Sequence, residues 1–97
     1  MDVEENKNLS ANNLKVIPNP TNELSVISYK LSVEGNVKLT LVSLLGQEVA
    51  VLKDGFEEAG EHNYELQITN YELNTGMYFV RLVAGGMVES EKILIIK

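Results

Sequence analysis

The sequence contains no cysteine and no tryptophan among its 97 residues. Without cysteine the chain forms neither a disulfide framework nor a thiolate metal site, so its stability comes from apolar packing and backbone pairing. Without tryptophan it lacks the best stacking surface for a sugar ring. Four other aromatic residues lie within alternating patterns, where core packing is their expected use: Tyr29, Tyr64, Tyr78 and Phe79.

Basic residues and long apolar runs are also scarce. Eight lysines and arginines face fourteen aspartates and glutamates, and this negative balance opposes the counterion release that drives nucleic-acid binding. The longest apolar run, residues 93–96, is far shorter than the ~20 residues of a transmembrane segment. The first five residues show no basic-then-apolar signal peptide. We therefore expect neither nucleic acid nor a membrane span.

What the sequence does contain is a period of two. Residues 1–13 are polar and rich in asparagine, which indicates a linker, and residues 14–97 form one predicted domain. Alternating or apolar stretches predict seven strands, at residues 14–17, 23–31, 37–41, 47–52, 61–68, 77–84 and 87–96. No stretch has a helical period. The predicted fold class is all-β, an immunoglobulin-like antiparallel β-sandwich of about seven strands.

Turn residues indicate how the strands connect. Pro18-Asn19-Pro20 forbids a continued ladder and places the first strand at an edge. The second and third strands are predicted to form one hairpin, and the third and fourth another around Gly46, which is free to adopt a positive φ. The fourth strand is predicted to end at Asp54-Gly55. The last two strands form a final hairpin around Gly85-Gly86.

The residues suited to chemistry do not form a predicted catalytic, cofactor or metal site. His62 is the one histidine, and the two aspartates, Asp2 and Asp54, give no convincing triad with it, so a structural or exposed-turn histidine is favoured. Glu57, Glu58 and Glu61 cluster in a predicted loop, but they lack the spacing of a calcium loop, and a solvated charge run is favoured.

The apolar tail, residues 93–96, is apolar in both phases of its strand. Either the domain covers both faces of this strand, which is the favoured interpretation, or one face is left for a partner.

Four stretches in order resemble a known family: Pro18-Asn19-Pro20-Thr21-Asn22, residues 37–49, residues 73–82 and residues 91–97, the last flush against the chain end. Together they resemble the type A C-terminal sorting domain of the type IX (Por) secretion system of Bacteroidetes-type bacteria. Ile17 departs from the family, which usually has an aromatic residue there. Glu91 departs as well, where a second basic residue is common.

This resemblance implies a transport role within a longer parent protein. The domain would be recognised at the periplasmic side of the outer membrane, and its partners would be translocon and sortase components. The sortase would cut the linker and leave the cargo secreted or on the cell surface.

Recognition is predicted to lie in the final hairpin, residues 76–97. Its charge would come from Arg81, Lys92 and Lys97, and its shape from Gly76, Gly85 and Gly86; the apolar tail, Ile93, Leu94, Ile95 and Ile96, completes the set. Pro18, Asn19, Pro20 and Gly46 are predicted to shape the scaffold. The alternative is an uncleaved immunoglobulin-like module that binds protein or carbohydrate. An enzyme is a third class, for which the residues offer no constellation.

Overall fold

A computed structural model describes residues 14–97, which form seven strands and one turn of 3-10 helix. The strands are β1 (Lys15–Ile17), β2 (Leu24–Leu31), β3 (Gly35–Ser43), β4 (Glu48–Glu57), β5 (Gly60–Gln67), β6 (Gly76–Ala84) and β7 (Met87–Ile95). The 3-10 turn, Ile68–Asn70, follows β5. The predicted all-β sandwich of seven strands is confirmed.

Two antiparallel sheets share the strands. The three-stranded sheet has the order β1-β2-β5, and the four-stranded sheet has the order β4-β3-β6-β7. The edge position of β1, the β3–β4 hairpin and the final β6–β7 hairpin were all predicted and are confirmed.

The predicted hairpin between the second and third strands is wrong. β2 pairs with β1 and β5, whereas β3 pairs with β4 and β6, so residues 32–34 carry the chain from one sheet to the other. An alternating strand, a short polar link and a second alternating strand have the same local pattern in both arrangements. A hairpin and a crossing between sheets are distinguished only by which distant strands are available to pair with each of the two strands.

The core lies between the sheets and is built by the alternation of each strand. The inward residues Ile27, Tyr29 and Leu31 of β2 and Val37, Leu39 and Leu41 of β3 are fully or nearly fully buried, as are Val80 and Leu82 of β6. Ile93 and Ile95 of β7 complete this core. Because adjacent residues of a strand face opposite sides, Tyr78 packs toward the core while its neighbour Phe79 faces outward. The predicted core position of Phe79 is therefore wrong.

β4 is longer than predicted and irregular. It runs past Asp54-Gly55 to Glu57, and its register against β3 shifts twice, between Leu39 and Thr40 and between Leu41 and Val42. Gly55 pairs with Val37 inside the ladder and so does not form a turn. These bulges bend and twist the exposed edge, which discourages pairing with another chain.

Candidate functional site

The final hairpin turns on two glycines whose φ angles are both positive. Gly85 has a φ of 59° and Gly86 a φ of 81°, the combination that a two-residue hairpin turn requires. β6 and β7 then pair without a register shift from Ala84–Met87 to Gly76–Ile95. The predicted shaping role of these two glycines therefore has a geometric basis. Gly76, by contrast, has no positive φ and open space where a Cβ would stand.

The two faces of the apolar tail have different surroundings. Ile93 and Ile95 point between the sheets and are 0% exposed. Leu94 is half-buried on the outer face of the four-stranded sheet, and Ile96 is 45% exposed. The favoured expectation that the domain covers both faces holds for the inward residues only, because no layer formed by residues 14–97 covers the outside of the four-stranded sheet.

The outer edge of β7 is closed by the segment that follows β1. Thr21 donates its backbone N–H to the Leu94 carbonyl and accepts from the Ile96 N–H, both at 2.9 Å, as one residue of a parallel bridge to Ile95. Asn19 repeats this pattern with its side chain. Its Nδ2 donates to the Lys92 carbonyl at 2.8 Å, and its Oδ1 accepts from the Leu94 N–H at 2.9 Å. We call these four hydrogen bonds the edge clasp.

The end of the chain is held on its other side by Thr75. The Lys97 N–H donates to Thr75 Oγ1 at 2.8 Å, and the same hydroxyl lies 3.4 Å from the Lys97 carbonyl, to which it donates. The backbone of the tail is therefore bound on both sides, and what it presents outward is side chain.

Arg81 and Lys92 lie on the outer face of the four-stranded sheet. Arg81 pairs with Ser90, and Phe79 pairs with Lys92, so all four side chains share that face. The Arg81 guanidinium and the Lys38 ammonium each lie 3.4 Å from the same oxygen, Glu48 Oε2. The Glu48 carboxylate therefore forms ion pairs with two cations.

The predicted recognition residues do not form one compact surface. The turn at Gly85 and Gly86 lies at one end of the hairpin and residues 93–97 lie at the other. Residues 87–92 of β7 separate them, which corresponds to about 20 Å. Of the residues predicted to shape the scaffold, Gly46 has a φ of 94° in the β3–β4 turn, and Asn19 lies in the edge clasp.

The glutamates that the sequence placed in one loop are separated. Glu57 ends β4, only 8% of it is exposed, and Glu61 lies in β5. The solvated reading is therefore wrong for Glu57. Glu57 accepts hydrogen bonds from the Tyr29 hydroxyl across the sandwich and from Lys53 Nζ at 2.8 Å, and this contact joins the two sheets. Among residues 14–97, no three histidine or acidic side chains are grouped to hold a metal ion.

His62 completes this polar cluster. Its ring stacks on that of Tyr29 with 5.5 Å between centroids, and Nε2 donates to the Glu58 carbonyl at 2.7 Å. Burial alone would raise the pKa of Glu57. Hydrogen bonds from Lys53 and Tyr29 and the charges of His62 and Lys53 outweigh burial, so that pKa lies below its ordinary value. Burial and the contact with Glu57 raise the pKa of Tyr29. Burial and then Tyr64 raise the pKa of Tyr71.

Comparison with protein families gives one match, to the secretion system C-terminal sorting domain, over residues 15–97. The chain belongs to this family. Comparison with curated proteins finds no match, and neither does comparison with solved structures. The predicted type A subtype stays a prediction.

Membership makes this sorting domain a C-terminal signal for type IX secretion, which acts as part of a longer protein and interacts with the secretion machinery. The destination is the cell surface or the extracellular space. The family is one of sorting signals. No helix within residues 14–97 is long and apolar enough to cross a membrane.

Sequence reasoning missed three features of the sorting domain. Thr21 and Thr75 hold the tail, and neither belongs to a pattern that reveals a partner more than twenty residues away. The Tyr29–Glu57 contact was equally hidden. The third feature is apolar surface on the outer face of the four-stranded sheet, and it left a signal. Val42 stands in the polar phase of β3, and Leu44 follows in the same phase just beyond the end of the strand.

Proposed function

We propose that the secretion machinery recognises the folded sorting domain through the side chains of its final hairpin, residues 76–97, and that a sortase then cuts the preceding linker. The observation that carries this proposal is the family match over residues 15–97, which contains every strand. In this proposal the domain acts as a signal and catalyses no reaction of its own.

The geometry of the tail supports side-chain recognition. The edge clasp and Thr75 occupy the backbone of residues 92–97, so β-strand addition at that edge would first have to displace Asn19 and Thr21. The exposed Ile96 and Lys97 remain free to contact a partner, as do Arg81 and Lys92 further along the hairpin.

The test is export of a reporter in a bacterium with type IX machinery. The reporter carries a Sec signal at its N-terminus and this chain at its C-terminus, and its delivery to the surface is measured. Deletion of residues 93–97 should abolish delivery, but it also removes Ile93 and Ile95 from the core. The double variant Ile96→Asp with Lys97→Glu leaves the core intact and should also reduce delivery.

Unchanged delivery by both variants would contradict recognition through the tail. Loss of delivery by the deletion alone would assign the tail a purely structural role. Thr69→Asp, at an exposed position in the 3-10 turn outside the hairpin, serves as the surface control.

Cleavage is tested by locating the C-terminal residue of the mature cargo by mass spectrometry. The predicted linker, residues 1–13, lies outside the described residues. Leu14 is buried, so a cut before it would leave every strand of the sandwich intact. A mature surface protein that retains residues 14–97 would support the alternative, an uncleaved binding module.

A further inference from the structure

The two outer faces of the sandwich differ in chemistry. On the three-stranded sheet, Lys30 stands opposite Glu61, and the Ser28 hydroxyl donates to Asn63 Oδ1 at 3.0 Å. These cross-strand partners satisfy one another. That face also carries the apolar residues Ile17, Leu24 and Val26. The four-stranded sheet carries a larger set of apolar side chains, here called the outer apolar face: Val42, Leu44, Val51, Phe79, Val88 and Leu94.

The outer apolar face extends to the tip of the β3–β4 turn. Leu45 at this tip is 89% exposed and Leu44 beside it is also exposed. An isolated exposed leucine is ordinary on a protein surface. Here Leu44 adjoins Val42 and Phe79 on the outer face, where Val42 is already buried by its neighbours, and Leu45 is the next residue in the turn. Contiguous apolar surface of this kind is typical of an interaction site.

The face contains a shallow depression of about 230 Å³ between Val42, Leu44, Phe79 and Arg81. Pockets for drug-sized ligands are larger, about 300–1,000 Å³, and enclose most of the ligand. A depression of this size suits one apolar side chain of a partner. Arg81 at its rim would meet a carboxylate beside that side chain.

The charge of the face is opposite to that of the domain. Residues 14–97 carry seven lysines and arginines against eleven aspartates and glutamates. On the outer face of the four-stranded sheet, Lys38, Arg81 and Lys92 stand against Glu48 and Asp54. Lys38 and Arg81 share Glu48, and Asp54 stands opposite Lys38, so the three cations of this face exceed its two carboxylates by one. A partner complementary to this face is therefore apolar with acidic flanks.

A second copy and a lipid surface fit less well. Two copies meeting through this face would bring Lys38, Arg81 and Lys92 toward the same three cations, and like charges oppose association. An anionic bilayer would repel the net negative domain. A protein surface places its carboxylates locally, opposite the cations alone.

We propose that the outer apolar face docks on a protein of the export machinery that presents apolar side chains flanked by carboxylates. This inference rests on the proposed sorting function. It extends the recognised surface from the final hairpin to β3, β4 and the turn between them. Phe79, Arg81 and Lys92 belong to both surfaces, whereas Val42, Leu44 and Leu45 come from this face alone.

The test uses the full reporter fusion and the variant Leu45→Asp, which removes no buried contact. Its matched control is Val33→Asp, at a 73% exposed valine beyond the opposite end of β3. We expect at least a tenfold loss of exported reporter for Leu45→Asp and none for Val33→Asp. Exchange of the ion pair, Glu48→Arg with Arg81→Glu, keeps the local contact and should also reduce export, because it moves the positive charge.

The class of partner is tested with the purified chain. The probes are outer-membrane vesicles from the same host and protein-free vesicles made from their extracted lipids. We expect binding to the protein-containing vesicles, weakened at least tenfold by Leu45→Asp and weakened by salt. Equal binding to the protein-free vesicles would overturn a protein partner in favour of a lipid surface.

The export measurements distinguish failure of the proposed sorting function from failure of the proposed docking surface. Failure of the unsubstituted fusion to leave the cell would overturn the sorting function and this docking surface with it. Normal export of the unsubstituted fusion and of Leu45→Asp would overturn the docking surface alone. Equal losses for Leu45→Asp and Val33→Asp would overturn it as well, because added charge would then explain the defect.

Discussion

Asn19 accepts a hydrogen bond from the backbone N–H of Leu94, 75 positions away, and so continues the edge of the terminal strand with a side chain. The same amide donates to the Lys92 carbonyl, which places it where the peptide group of a neighbouring strand would lie. A conformationally fixed stretch with proline on either side of Asn19 carries this amide. An open strand edge is a template for unwanted pairing, and the edge clasp closes it over the tail.

Replacing Asn19 with alanine should open the edge clasp. A hydrogen bond contributes about 0.5–1.5 kcal/mol to stability, and Asn19→Ala removes two of them. Because both bonds are exposed to solvent, we expect the free energy of unfolding to fall by about 1–2 kcal/mol. Hydrogen exchange at the Leu94 amide should accelerate selectively. Urea denaturation and amide exchange measure the two effects.

Thr21→Val is the control for this prediction. Thr21 contributes to the edge clasp through its backbone, and its buried Oγ1 has no hydrogen-bond partner among residues 14–97. Valine has a similar shape, so the clasp should persist and stability should not fall. Equal destabilisation by Asn19→Ala and Thr21→Val would contradict the assignment of the clasp to the Asn19 amide.

Residues of the apolar tail should differ in the stability that is lost when each is replaced by alanine, because some are buried in the core and others are exposed. Ile95 is fully buried, and its replacement by alanine should cost about 2–5 kcal/mol. Ile96 is exposed, and Ile96→Ala should change stability by less than about 0.5 kcal/mol. Chemical denaturation of both variants checks this. A large stability loss for Ile96→Ala would show that the tail is packed differently.

The glycines of the final hairpin should differ in their tolerance of a side chain. Gly86 has a left-handed backbone, which costs an L-residue roughly 1–2 kcal/mol, so Gly86→Ala should lower the melting temperature by several degrees. Gly76→Ala is the matched control. Gly76 has no positive φ and open space around it, so alanine should be neutral or raise stability by about 0.4–1 kcal/mol. Thermal unfolding monitored by circular dichroism distinguishes them.

The Tyr29–Glu57 contact should make stability depend on pH at both extremes. The pKa of Glu57 is lowered in the folded state, so its contribution is complete above its ordinary pKa of 4.5 and is lost as the pH falls below that value. The pKa of Tyr29 is raised, so its contribution is complete below 10.0 and is lost as the pH rises above it. Unfolding free energies measured from pH 3 to 11 test both arms.

Tyr29→Phe removes the hydroxyl that links the sheets. A hydrogen bond to a charged group contributes about 1.5–3 kcal/mol, so we expect a loss of that size at neutral pH and a weaker decline at both extremes. Glu58→Gln, at the exposed neighbour of Glu57, is the control and should leave the pH profile unchanged. A Tyr29→Phe profile parallel to that of the unsubstituted domain would contradict the assignment.

Sequence alone determined the local structure of this sorting domain. The alternation in residues 37–41 and 61–68 predicted strands, and Gly46, the Gly85-Gly86 pair and the prolines predicted turns between them. These signals are local. The alternation of a strand and the glycine or proline that a turn requires are both visible within a few consecutive residues. The ordered motifs also sufficed to predict the family, since each motif is read in sequence.

The tertiary structure alone decided which strands became neighbours and which side chains met. The switch of sheets between β2 and β3, the burial of Glu57 against Tyr29 and the reach of Asn19 to Leu94 all depend on residues far apart in the chain. Local sequence patterns do not predict such partners, because strand pairing depends on the total burial and hydrogen bonding of the whole sandwich. For the same reason Val42, Leu44 and Phe79 became one outer face only when β3 and β6 were paired.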